Sequence, residues 1–212
     1  MQQLERPVLK QMLKKSAEML IEKSEDLCAI DSKFGDGDHG ITIKKIADKM
    51  QAAADAWDEA SIYALFDDLG TAILGVNGGS AGPLWGTFIG GFALPLEDQT
   101  EPAAIDGPLW KKMMASALAE LQDISTAKVG DKTMMDSLIP AVAAAQAASD
   151  DIQEILTAAA EAAAQGAKDS EQYVAKFGRA KSYKEETIGT PDAGAVSASI
   201  LLAGFAAAVQ EA

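Results

Sequence analysis

Apolar residues recur every three or four positions along most of this chain. Leu9, Met12, Leu13 and Leu20, with Ala17, fall on one face of a first helix. Ile62, Leu65, Phe66, Leu69, Ala72, Ile73 and Val76 repeat with the same spacing, a helical rather than a strand pattern. Further helices are predicted over 42–57, 83–94, 106–125, 133–148, 150–176 and 193–210. Alanine tracts over 141–148 and 158–167 add helix propensity and permit close helix approach. Alternating β-branched runs are nearly absent. The expectation is an all-α fold of eight helices in an up-and-down bundle, one domain over 1–212, with no internal repeat and no linker.

Four connecting segments differ from the rest. They are 31–40 (DSKFGDGDHG), 77–87 (NGGSAGPLWGT), 130–136 (GDKTMMD) and 178–194 (GRAKSYKEETIGTPDAG), each glycine-rich, polar and just before a predicted helix. The segment 94–106 (LPLEDQTEPAAID) has the prolines and acids of a plain surface loop. Counted along an up-and-down bundle, the four are connections one, three, five and seven. They therefore meet at one end.

Composition narrows the ligands. The 212 residues carry 32 acidic against 18 basic side chains, a net charge of −14, with one histidine. No basic stripe exists to displace phosphate counterions, which excludes nucleic acid, and an anionic membrane surface is excluded likewise. Cys28 is the only cysteine, so no internal disulfide forms. The first fifteen residues lack the apolar core of a signal peptide, and the apolar run 193–209 is short for a membrane span. A cytoplasmic setting is expected.

Asp31, Asp36 and Asp38 lie within eight residues, hinged by Gly35, Gly37 and Gly40. Hard oxygen donors on a flexible loop suit Mg²⁺, and a solvated acidic turn capping the next helix fits the spacing as well. An EF-hand fails because position twelve from Asp36 is Ala47. The string from Gly35 to Gly40 matches G-x-G-x-x-G but lacks the βαβ context of a dinucleotide loop. Segment 77–83 reads as a phosphate cradle or as a tight interhelical turn. Gly130-Asp-Lys-Thr resembles the end of a Walker A loop without its glycines, and Asp131 suits a helix cap. Arg179, Lys181 and Lys184 gather positive charge suited to phosphate. His39 is open to phosphate contact, metal ligation or phosphoryl acceptance. Cys28 and the pair Met134 and Met135 suit an interior or the wall of an apolar pocket.

Taken in order, GDGDHG, GGSAGPLWGTF, GDKTMMDSLIPA and GRAKSYKEETIGTPDAGAVS closely resemble the nucleotide-binding L subunit of dihydroxyacetone kinase and the matching C-terminal domain of single-chain forms. The likeness spans nearly the whole chain. It implies an eight-helix antiparallel barrel with Mg-ADP or Mg-ATP at one end. By this resemblance Asp31, Asp36 and Asp38 hold magnesium, two ions in all. His39, Gly40, Ile41 and Thr42 match the phosphate-side stretch, and Gly79, Ser80 and Ala81 the glycine-rich phosphate loop. Met134 matches the adenine pocket, and Arg179, Asp192, Ala193 and Gly194 the remaining nucleotide contacts. Two departures stand out. The phosphate loop reads Gly-Gly-Ser-Ala rather than Gly-Gly-Ala-Ser, and 125–129 (STAKV) replaces an Arg-Gly-Lys-Ala-Glu-Pro stretch.

The resemblance further implies half an enzyme. A separate K subunit would hold dihydroxyacetone, and the phosphoryl group would come from free ATP or from bound ADP rephosphorylated by a phosphohistidine carrier protein. Two alternatives stand beside it: a non-catalytic ADP/ATP-sensing partner of a regulator, and an L-type subunit of a kinase for another substrate such as a related sugar.

Overall fold

The computed structural model describes residues 1–97 and 100–212. Two residues of the predicted surface loop, Asp98 and Gln99, lie outside that description. Nine α-helices occur among the described residues: α1 (Arg6–Glu22), α2 (Ser24–Asp31), α3 (His39–Ala56), α4 (Ile62–Leu74), α5 (Ala81–Gly90), α6 (Gly107–Ile124), α7 (Met135–Ala147), α8 (Ile152–Asp169) and α9 (Ala193–Gln210). The fold is mostly helical, as expected. Its described sheet is a two-residue antiparallel pair, β1 (Gln3–Leu4) with β2 (Ile105–Asp106), which buries Leu4 and Ile105.

Helix starts follow local chemistry. Ser61, Asp106, Asp151 and Asp192 each accept a backbone N–H of the first turn that follows, at α4, α6, α8 and α9. Three places differ from the periodicity, one of them the helix expected over 83–94, which ends at Gly90. The first helix breaks at Lys23, whose backbone leaves the helical region, so the eight expected helices become nine. The helix expected over 150–176 ends at Asp169. There the Ser170 hydroxyl turns back on the Ala167 carbonyl at 2.6 Å, and the Ser170 carbonyl takes a side-chain donor from Lys132 at 2.5 Å. Polar partners from another loop override the apolar spacing.

Neighbours in sequence pack as neighbours in space. Helices α1 and α2 both lie on α3, the contacts continue pairwise from α3 to α9, and α9 returns to α1. A single apolar cluster runs through the helices, with Phe66, Phe88, Phe92, Trp110 and Phe205 in ring contact at its centre. Glycine brings several pairs close. A Cβ on Gly204 of α9 would sit 2.4 Å from the Ser16 Cα of α1. Ser16 fastens the same seam by donating to the Leu201 carbonyl at 2.8 Å. Pro140 inside α7 cannot bond the Asp136 carbonyl, and Gly166 of α8 packs against that oxygen. Helix α9 is long and apolar enough to cross a membrane by length and composition, but 61% of it is buried within the fold.

Candidate functional site

All four distinctive loops line one cavity of about 810 Å³. On one side the loop between α2 and α3 brings Asp31, Asp36 and Asp38 together, with one oxygen from each within 4.8 Å of the others. The loop folds over Asp31: Gly37 N–H donates to its Oδ2 at 2.9 Å, and a Cβ on Gly35 would strike its Oδ1 at 2.2 Å. Three carboxylates so gathered need a counter-charge. Arg179 provides one, its guanidinium resting on Asp36. The same hard-oxygen set fits a divalent cation such as magnesium.

Helix α3 opens at His39, half-buried at the cavity wall, with Nε2 3.0 Å from the Ser197 hydroxyl of α9. Burial lowers its pKa, against the opposing pull of the Asp31 charge and a backbone hydrogen bond at Ala193. The next residues turn away. Gly40 is buried where a Cβ would meet the Ser24 carbonyl at 1.8 Å, and Thr42 is buried beneath Gly78. Ile41 is 55% exposed. None of Gly40, Ile41 and Thr42 lines the cavity. Thr42 instead supports the phosphate-like loop from below, since a Cβ on Gly78 would lie 2.0 Å from its Oγ1.

Gly79, Ser80 and Ala81 line the cavity at the start of α5, and Ser80 makes no side-chain cap. Trp85, one turn further on, also reaches the lining. Across the space stand Met134 and Met135 at the start of α7, and Asp192, Ala193 and Gly194 at the start of α9. Asp192 caps α9 through the Ala195 N–H at 2.7 Å, and burial pushes its pKa up to about 7. Arg179 and Phe177 close the remaining side, and Tyr183 packs on Phe34 with ring centroids 5.2 Å apart. Lys181 and Lys184 are exposed and outside the lining.

Two residues gain a place that the motifs did not reveal. Lys132 is only 5% exposed, lines the cavity, and bonds the Ser170 and Thr190 carbonyls. Burial lowers its pKa, while Asp192, Asp136 and Glu171 pull it back up. Asp136 is buried and accepts the Gly130 and Thr133 N–H groups, each at 2.6 Å. Burial raises its pKa. The expected capping aspartate, Asp131, starts no helix. It accepts the Lys128 N–H and pairs with Lys176 at 2.6 Å. The Asp-Lys-Thr string was the available signal for this buried network.

The DAK2 domain profile matches residues 33–207 of this chain. The chain belongs to the DAK2 domain family. Within it, the ADP-binding subunit DhaL of a phosphoenolpyruvate-dependent dihydroxyacetone kinase from Listeria innocua is 32% identical and aligned over 86% of each chain. The resemblance to the L subunit is thereby borne out. An L-erythrulose kinase from Pectobacterium atrosepticum is 31% identical over 90% of this chain, and a human triokinase/FMN cyclase 32% over 90%. This DAK2 domain spans about a third of the length of those two relatives, 32% and 33%. The native dihydroxyacetone kinase of C. freundii superposes with a TM-score of 0.75 at 24% identity, covering 96% of this chain and 35% of that one. The same kinase solved with AMP-PNP and Mg²⁺ gives 0.71 at 24% identity, covering 93% and 33%. The overall helical fold is shared.

Proposed function

We propose that this chain is the nucleotide-binding phosphotransferase subunit of a dihydroxyacetone kinase, folded over 1–212 as one eight-helix antiparallel barrel in which α1 and α2 together form the first stave. The convergence of Asp31, Asp36 and Asp38 on the wall of a cavity large enough for a nucleotide carries the reading. Those carboxylates would hold two magnesium ions. Bound magnesium supplies positive charge to the β- and γ-phosphate oxygens. The chain's own groups do the rest. Amides of Gly78, Gly79 and Ser80 present N–H donors to phosphate oxygens. Arg179 leaves Asp36 for an equatorial oxygen, and His39 adds a contact. Met134 and Met135 offer an apolar wall to the base, and Phe177 lines the same cavity.

The acceptor hydroxyl attacks in line from outside this chain, held on a separate K subunit, since His39 is the only histidine and faces Ser197. The Listeria relative's name, an ADP-binding subunit of a phosphoenolpyruvate-dependent kinase, supports a phosphohistidine carrier as phosphoryl source, with free ATP as the other route. Burial of most of α9 supports a cytoplasmic, membrane-free protein. A second reading, the nucleotide module of a kinase for a related sugar, is favoured by erythrulose kinases matching as well as the Listeria subunit does.

Native mass spectrometry of freshly purified protein, with and without excess ATP, tests the site. Retained, non-exchanging ADP is expected for the carrier-driven mode, and a freely exchanging site points to ATP. A protein that takes up no adenine nucleotide under either condition overturns the proposal. Asp36→Asn and Asp38→Asn are expected to lose magnesium-dependent binding while keeping their helical circular dichroism.

A further inference from the structure

We infer that Lys132 is a positioning residue of the nucleotide site, an internal ammonium that ties the loop before α7 to both ends of the α8–α9 connection. The inference rests on the nucleotide reading above and concerns a side chain that none of its motifs assigns.

Lys132 occupies a costly place. Its backbone is left-handed, with φ of 62°, where glycine is favoured, and its side chain is 5% exposed. A lysine in such a position indicates that the ammonium itself is needed there. Its Nζ donates to the Ser170 carbonyl at the end of α8 and to the Thr190 carbonyl on the approach to α9. Ser170 then reaches the same approach from its other end, its hydroxyl accepting the Asp192 N–H at 2.8 Å. Asp192 in turn caps α9. One cation therefore joins the loop bearing Met134, the end of α8, and the turn presenting Asp192, Ala193 and Gly194. Asp136 and Glu171 stand near enough to oppose its charge. With two of its three N–H donors committed to carbonyls, Lys132 sets where the walls stand. Misplacing such walls by about 1 Å weakens what they hold.

The test uses the full chain and Mg-ADP titrated calorimetrically at 10 °C. Lys132→Gly removes the ammonium while relieving the left-handed backbone. It is expected to keep its helical circular dichroism and to bind Mg-ADP about tenfold more weakly or worse. Added n-propylammonium should restore part of that loss, a response that a merely stabilising side chain does not give. Lys132→Met serves if the glycine variant does not fold. Wild-type affinity in either folded variant overturns the inference alone, and failure of both to fold assigns Lys132 to stability and overturns it too. Absence of Mg-ADP binding by the unaltered protein overturns the nucleotide reading and this inference with it.

Discussion

Arg179 and Asp36 compete with any cation for the same carboxylate. Both side chains are substantially exposed, 68% and 41%, so their pairing contributes at most about 1 kcal/mol. Arg179→Gln is therefore expected to tighten Mn²⁺ binding to the nucleotide-free protein a few-fold while weakening Mg-ADP binding, read by electron paramagnetic resonance and calorimetry. Unchanged Mn²⁺ affinity would show that Asp36 is not a ligand. Asp192 makes a prediction of a different sign from most acids. Its folded pKa of about 7 lies above the ordinary carboxylate range, so the folded protein keeps a proton that the unfolded chain releases. Its contribution to stability falls as pH rises from about 4 to about 7 and then levels off. The carboxamide introduced by Asp192→Asn can still accept the Ala195 N–H without ionising. The melting temperature of that variant relative to the unaltered protein should rise across pH 5 to 8 by a few degrees, roughly 1 kcal/mol corresponding to about 2–4 °C at this chain length. A flat difference across that range would refute the buried acid. At this scale the sequence was legible where chemistry is repeated in one loop, as in the acid triad. It was opaque at Lys132, whose partners lie 38 and 58 residues away.

Helices were legible because each must bury one face, and a period near 3.6 records that face. The breaks were not. Helix α2, set off from α1 at Lys23, buries only Leu27 and so offers too short an apolar face for periodicity to show it. The end of α8 was hidden because it depends on partners outside the helix: Ser170 belongs to the network around Lys132. Close packing between helices is equally silent in a pattern of apolar positions, and here it can be measured by adding one methyl group. Gly204→Ala places a carbon 2.4 Å from the Ser16 Cα, forcing α1 and α9 apart. Overpacking costs about 1–3 kcal/mol, against a helix-propensity gain of about 1 kcal/mol, and the steric term should win. Gly90→Ala meets only the Gly70 Cα at 3.7 Å and should be neutral or stabilising. Thermal denaturation of the two variants separates them, and equal melting temperatures would sink the close-approach account of the α1–α9 seam.

The whole molecule carries a charge of −14, yet its cavity is lined by Arg179 and Lys132 as well as by acids. Net charge and local charge thus act on different properties. The acids outside the cavity repel one another, so 0.3 M NaCl, which shortens the screening length to about 6 Å, should raise the melting temperature. A fall on adding salt would mean that ion pairs such as Arg6 with Glu101 outweigh the repulsion. That the four polar loops share one cavity was readable from the parity of helix count alone, because splitting the first helix at Lys23 did not change which end each loop occupies. What lines the cavity between those loops, at Leu121, Ile124 and 125–127, was not, since such residues look like ordinary helix and linker until the space is formed. Trp85 has one more consequence. The other two tryptophans sit elsewhere, Trp57 bonded to the Ser61 carbonyl and Trp110 among the core rings. The chain therefore carries a native optical probe on the cavity wall, and arrival of a ligand can be timed by fluorescence without labelling the protein.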